Sequence, residues 1–274
     1  MSGYELDQRP VEVVVIGSQL AYGAVGNNTV ARMIEAGGHR CVQVPTVVLS
    51  NLPHYPTLAG GPVSDQWLAG FLDDLLAREV LDRTRYVFVG YLGTADQAGI
   101  IARWLVRARQ LYPQLKLILD PAMGDTDVGM YAEPAVAEGY REHLLEQSWL
   151  TTPNSFELAL FTGLAITDEQ DAANACLELL ELGCRHVVVT STPSEDPGMV
   201  GCLLATSEED FDQVDTPRVA STAKGAGDCF AGLLISQLLE GASLLRGVQH
   251  AVSGTALALS GAHRLFGGTV PAGS

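Results

Sequence analysis

Positive charge is scarce in this chain. Its 274 residues carry 16 Lys and Arg against 32 Asp and Glu, a formal net charge of −16. No basic stripe is left to follow nucleic-acid phosphates, so nucleic acid is not expected as a partner. The acidity reads as a solvated surface. Paired cysteines are also missing. Cys41, Cys176, Cys184, Cys202 and Cys229 form no CxxC, and their odd number and apolar neighbours predict buried, reduced thiols. No run is apolar enough for long enough to span a bilayer, and Asp, Gln and Arg precede the first apolar run, where a signal peptide needs hydrophobic residues. A cytoplasmic protein without membrane contact is expected. No Pro/Gly/Ser-rich linker and no solenoid repeat divides the chain, which predicts one domain over residues 1–274.

Two nucleotide fingerprints are absent as well. There is no GxxxxGK followed by Ser or Thr, and no G-x-G-x-x-G after the first strand. The first absence excludes a P-loop and the second weakens a nicotinamide-dependent dehydrogenase. Ser221-Thr222-Ala223-Lys224 matches the SxxK of serine acyl-enzymes, but its companion KTG is missing.

What is present is an alternation of short β-branched runs with longer helical patterns. Strands are predicted over residues 11–16, 86–89, 115–119 and 186–190, with weaker ones at 41–44 and 149–151 and an antiparallel edge pair at 199–205 and 211–214. Helices are predicted over 27–35, from a Ser64-Asp65 cap to about 81, and over 94–112, 133–147, 167–182, 227–239 and 244–260. Continuous apolar strands between helices imply an α/β fold with a mostly parallel sheet covered on both faces. Polar residues or glycine follow nearly every strand: Ser18 and Gln19, Thr46, Gly90-Tyr91, Asp120, then Thr152, Asn154 and Glu157, then Thr190 and Ser191. Open parallel sheets bind ligands beyond the carboxyl ends of their strands, so these residues are candidates for one crevice. Taken singly, each also fits an ordinary polar loop.

The strongest local motif is Lys224-Gly225-Ala226-Gly227-Asp228 before an apolar helix. Small residues at a helix start let backbone N–H groups approach an anion, and an Asp there can accept a proton from a hydroxyl attacking a phosphoryl group. On the pattern alone, a simple helix cap explains Asp228 equally well. Asp120-Pro121 presents a carboxylate at the end of a buried strand, where Mg²⁺ or its water shell could sit. Glu157 is a second candidate, or else a first-turn acid favoured by the helix dipole. His54-Tyr55, between Pro53 and Pro56, could cover a flat ring, although an exposed loop is the simpler reading.

Seven strings together resemble the ribokinase-like vitamin B6 kinases: GSQLAYGAVGN (17–27), VPTVVLSNLPHY (44–55), GYLGTADQ (90–97), DPAMGDTDVGMY (120–131), TPNSFELALFTG (152–163), VVVTS (187–191) and KGAGDCFAGLLISQLLEG (224–241). The resemblance implies a three-layer α/β/α sandwich without a separate lid domain, usually dimeric. It implies transfer of the ATP γ-phosphoryl group to the 5′-hydroxymethyl of a B6 ring, with Mg²⁺ and, as an open option, a monovalent cation. Carried over by position, it makes Asp228 the base, close to the substrate hydroxymethyl, and the backbone at Gly225, Ala226 and Gly227 the anion hole. Ser18 and His54 would contact the ring, and Thr46 and Tyr91 would line its pocket. Asp120, Thr152, Asn154, Thr190, Ser191, Thr216, Pro217, Arg218, Val219, Lys224 and Ala226 would serve ATP, and Tyr131 and Glu157 the metal. Ala226 stands where the resemblance leads one to expect Thr, which leaves backbone donors only. A hydroxymethylpyrimidine kinase is the nearest alternative, but such members often carry Cys where Asp228 stands. A non-catalytic pyridoxal phosphate carrier is another, against which the Asp120, Glu157 and Asp228 set argues.

Overall fold

The computed structural model describes residues 6–261. The elements run β1 (Val13–Leu20), α1 (Asn27–Ala36), β2 (Cys41–Leu49), β3 (Gly60–Pro62), α2 (Asp65–Ala77), β4 (Tyr86–Val89), α3 (Ala95–Leu111), β5 (Lys116–Leu119), β6 (Gly124–Asp125) and β7 (Gly129–Met130). They continue α4 (Pro134–Gly139), β8 (Ser148–Thr151), α5 (Ser155–Thr162), α6 (Glu169–Glu181), β9 (Val187–Thr192), β10 (Met199–Ser207), β11 (Asp210–Pro217), α7 (Ala226–Leu239) and α8 (Leu244–Leu259). Nine strands form one sheet in the order β11-β10-β9-β8-β5-β4-β1-β2-β3. Its six central strands are parallel, from β9 to β2. β3 closes one edge and the β10–β11 ribbon the other, all antiparallel.

Strand period two sorts the apolar side chains into two cores. Val14, Ile16, Val87, Val89, Leu117, Leu119, Val187 and Val189 face one helical layer, built on α2, α3 and α6. Val13, Val15, Phe88, Ile118 and Val188 face the other, built on α1, α7 and α8. The expected three-layer sandwich is thus formed, and its continuous apolar strands are buried on both faces. All five cysteines are unpaired, and four are buried. No described helix is long and apolar enough to cross a membrane.

Several elements differ from their sequence-based bounds, for local reasons. β1 and β2 run on past residues 16 and 44, so Ser18 and Thr46 lie inside strands. Pro45 is tolerated because it pairs with Gly17 next to a register shift, and β3 reaches β2 only from Val47 onward. α2 stops at Ala77, ahead of Glu79, which adopts left-handed φ 55°. The segment predicted as one helix over 133–147 is α4 followed by a wider turn, Tyr140–Leu144, closed by Leu145 N–H donating to the Tyr140 carbonyl at 3.0 Å. β3, the β6–β7 hairpin and α5 were not expected as elements.

Candidate active site

The carboxyl ends of the parallel strands make a stepped shelf. Asp120 N–H donates to the Val89 carbonyl at 2.8 Å, Thr152 N–H to Leu119 at 2.9 Å and Thr190 N–H to Pro153 at 2.9 Å. Asp120 and Thr152 therefore follow the ends of adjacent strands, and Thr190, inside the next strand β9, lies beside them with Asn154 bridging to it.

α7 begins above this shelf. Gly225 caps it at φ 96°, ψ 14°, a left-handed conformation open to glycine, and a Cβ there would strike the Ala24 carbonyl oxygen. The first N–H groups of α7 have no intrahelical acceptor, an arrangement that suits an anion. A Cβ on Gly227 would meet only Asp120 Oδ2, at 3.9 Å. The Gly225–Gly227 turn and the acid at the end of β5 are thus neighbours, although more than a hundred residues of sequence separate them.

Three carboxyls gather here. Burial pushes Asp228 up to about 6, while the Gly26 N–H, donating to its carboxylate, holds it lower than it would otherwise be. Asp120 is pushed well above the carboxylate range by burial, then by Glu157 and Asp228, with the Thr152 hydroxyl offsetting part of the rise. Glu157 is 2% exposed and also raised by burial. Its oxygens accept N–H groups from Met123 at 2.9 Å, Gly124 at 3.4 Å and Asn154 at 2.9 Å. Asn154 returns the bond through its Oδ1, which accepts the Glu157 N–H at 2.9 Å, and donates Nδ2 to the Gly124 carbonyl at 2.8 Å. Glu157 is therefore both part of the acid cluster and the capping-box acid of α5. Tyr131 is 52% exposed, yet its phenol is pushed up by desolvation and then by Glu157, Asp120, Asp228 and Asp125. Its ring faces solvent, and its hydroxyl, held neutral, stands near the acids. Among the described residues no group of three or more His, Cys, Asp or Glu side chains is disposed to hold a metal by itself.

On the other side of α7, Ser18 is buried in β1 and packs on Gly26, where any Cβ would collide with its Oγ. Gly26 thus touches both Ser18 and Asp228. Thr46 is fully buried and donates its hydroxyl to the Tyr91 carbonyl at 2.6 Å. Gln97 takes the Gly93 N–H at 2.9 Å and donates to the Thr46 carbonyl at 2.9 Å. Tyr140 donates to the Gly90 carbonyl at 2.7 Å and accepts the Leu92 N–H at 2.9 Å. These bonds fix the 90–93 segment, on which Tyr91 stands 6.3 Å from the Tyr131 ring. His54 is exposed and stacks on Tyr55 at 4.9 Å, and Tyr55 meets Tyr22 edge-on at 6.1 Å. His54 stands with this aromatic group at the surface, whereas Ser18 and Thr46 are buried in their strands.

The remaining candidates lie toward the β9–β11 edge. Ser191 adopts φ 60°, at a register shift between β9 and β10, and its carbonyl accepts the Ser155 hydroxyl at 3.1 Å. Thr216 and Pro217 end β11 opposite Val200 and Met199. Pro217 has no N–H to give, and the Arg218 N–H donates to the Gly198 carbonyl at 2.8 Å. Val219 leads toward the α7 turn. Lys224 pairs with Asp127 at 3.1 Å. Gly26, Gln97, Tyr140 and Asp127 carry parts of this geometry that the sequence left unassigned. Gly26 lies inside a matching string, but nothing local links its N–H to Asp228.

Sheet order, the glycine turn that opens α7 and the acids beside it define a three-layer α/β architecture with its polar cluster at the carboxyl ends of the parallel strands. A family model described as phosphomethylpyrimidine kinase matches residues 80–272. The chain is 45% identical over 251 residues to a pyridoxine/pyridoxal/pyridoxamine kinase of Bordetella avium, covering 90% of this chain and 84% of that one. It is 33% identical over 253 residues to a pyridoxal kinase of Rubrobacter xylanophilus, with the same coverage of 90% and 84%. Among solved structures, the pyridoxal kinase of Leishmania donovani in complex with ADP and pyridoxine matches with a TM-score of 0.80 at 27% identity, over 88% of this chain and 82% of that one. That of Entamoeba histolytica matches with a TM-score of 0.85 over 92% and 90%, at 24% identity, which speaks for the fold alone. The chain belongs to the family of the pyridoxine/pyridoxal/pyridoxamine kinases.

Proposed function

We propose that this protein phosphorylates the 5′-hydroxymethyl group of pyridoxal, pyridoxine and pyridoxamine with ATP. The observation that carries the reading is the start of α7: free backbone N–H donors in the Gly225–Gly227 turn, with the half-buried Asp228 carboxyl beside them and raised by desolvation to about 6. A carboxylate of that strength is mostly ionised at neutral pH and basic enough to accept the hydroxyl proton as the oxygen attacks. The turn's N–H groups stabilise the transferring phosphoryl oxygens, and binding aligns the hydroxyl with the phosphorus. Ser18, Thr46, Tyr91 and His54 serve the ring; Asp120, Thr152, Asn154, Thr190, Ser191, Lys224 and the 216–219 segment serve the nucleotide.

Mg²⁺ fits the donor set. After burial, the charges of Glu157 and Asp228 raise Asp120, which marks an excess of negative charge that a cation relieves. Asp120, Glu157 and the neutral Tyr131 would hold it through its water shell, since Mg²⁺ keeps several waters and binds mainly to phosphate. When bound, it neutralises charge on the phosphate chain. The further expectations of one kinase domain, no lid, a homodimer and a cytoplasmic location belong to the same reading.

The matching family model is described as phosphomethylpyrimidine kinase, which keeps a pyrimidine with a hydroxymethyl or phosphomethyl arm as a second candidate acceptor. Purified protein incubated with Mg-ATP and, separately, each B6 vitamer and hydroxymethylpyrimidine tests both. Phosphorylated B6 product supports the reading. No product from any acceptor overturns it in favour of a carrier.

A further inference from the structure

We propose that Asp127 sets the affinity of the nucleotide site by competing with the nucleotide phosphates for Lys224. The inference rests on the kinase reading above. Lys224 directly precedes the anion-binding turn, in a region otherwise dominated by Asp120, Asp125, Glu157 and Asp228. Its Nζ does not lie on those acids. It reaches the tip of the β6–β7 hairpin and bonds Asp127 Oδ2 at 3.1 Å.

The two ends of this bond differ in freedom. The base of the hairpin is held to α5 by Asn154 and Glu157 through the Met123 and Gly124 backbone. Within the hairpin, Thr126 N–H donates to Asp125 Oδ1 at 2.7 Å and Val128 N–H to the Asp125 carbonyl at 3.3 Å, which fixes the tip that carries Asp127. Lys224 is a point charge on a flexible four-carbon stem. The pair is open to water, with side-chain exposures of 40% for Lys224 and 64% for Asp127. A bond of that kind is weak enough to be exchanged for a polyphosphate, which carries more charge than a carboxylate.

Binding of nucleotide then replaces one partner of Lys224 by another. Asp127 competes with the phosphates for the cation and is left facing them once it has lost. Its charge lowers affinity in both ways, but only the first depends on Lys224. A double-mutant cycle separates them.

The measurement is the Kd of ADP with Mg²⁺, by calorimetry, for wild type, Asp127→Asn, Lys224→Met, the double variant and Asp127→Glu. Asp127→Asn should bind ADP about two- to fivefold more tightly than wild type. In the Lys224→Met background the same change should tighten binding clearly less, by the direct repulsion alone, and in the wild-type background Asp127→Glu should keep wild-type affinity. Unchanged or weaker binding in Asp127→Asn overturns the proposal, as does equal tightening in both backgrounds. An additive cycle in a wild type that phosphorylates its acceptor removes this inference alone. A wild type that binds no ADP and turns over no acceptor removes the kinase reading and this inference with it. Both positions are on the surface, away from the two cores, so the variants keep the fold that the comparison needs.

Discussion

Asp228→Asn is the most direct perturbation of the proposed chemistry. Asparagine keeps an oxygen to accept the Gly26 N–H and nearly the same volume, but it cannot take a proton. With Asp228 at about 6, roughly nine-tenths of the wild-type enzyme is ionised there at pH 7. The substitution therefore removes a base that is almost fully in its working form. General-base catalysis contributes about a hundredfold or more, so kcat should fall by at least that, close to 2.7 kcal/mol in the barrier. Asp228 is assigned to the hydroxymethyl side of the site, so the KM for ATP should change by less than about threefold.

The pH profile supplies an independent check. In wild type, kcat/KM at subsaturating Mg-ATP should rise through an acid limb near pH 6, since this ratio reports free-enzyme groups. Asp120 and Glu157 titrate in the same field, so the limb belongs to the cluster and not to one carboxyl. In Asp228→Asn the limb of the residual activity should shift and flatten, because the cluster has lost one of its three titrating carboxyls. The assay is formation of the 5′-phosphate from pyridoxal, followed spectroscopically. A folded Asp228→Asn protein that turns over within about tenfold of wild type, with its acid limb intact, refutes the base assignment.

Stability should move the other way. Burial raises Asp228, so the folded state holds its proton more tightly than the unfolded chain. The stabilisation from that proton is complete below about pH 4 and lost as pH rises through about 6. Asp228→Asn should accordingly melt above wild type at pH 8 and converge with it toward pH 4; a pH-independent difference contradicts the burial argument. Gly225→Ala meets the Ala24 carbonyl at φ 96° and should cost about 1–3 kcal/mol together with activity. Gly227→Ala has only Asp120 Oδ2 nearby, at 3.9 Å, and should leave the melting temperature unchanged while lowering kcat/KM for ATP. Equal loss of stability in both variants would place the turn wrongly. Tyr140→Phe removes a hydroxyl that makes two buried hydrogen bonds and should destabilise by about 1–3 kcal/mol. By loosening the segment that carries Tyr91, it should also raise the KM for pyridoxal more than that for ATP, which steady-state kinetics would test.

The parallel sheet was legible because its central strands are short β-branched runs, and their carboxyl ends announced the shelf that Asp120, Thr152 and Thr190 form. Misplaced strand ends have specific causes. Gly17 and Pro45 read as terminators, yet they face each other beside one register shift and both strands continue beyond them. The β6–β7 hairpin has two residues per strand, too few for any period to register. It exists because side chains of Asn154 and Glu157 bond its backbone some 30 residues away. The pairing of Lys224 with Asp127 spans 97 residues and leaves no local trace.

Glu157 is where the two levels meet. Its sequence position allowed two readings, a metal-site acid or a first-turn acid favoured by the helix dipole. The structure gives its carboxylate three backbone N–H partners, buries it and makes it the capping-box acid of α5. The same burial leaves its charge close to Asp120 with little water to screen it, and it is the larger of the two charges that raise that residue. In the proposed kinase, Glu157 therefore acts on a cation through field and through water, while its own oxygens stay on the backbone that supports the hairpin. Replacing it by Gln would loosen the Met123–Gly124 anchor and remove the field together. Asp120→Asn would change the field without touching that anchor, and comparing metal dependence in the two variants would tell the roles apart.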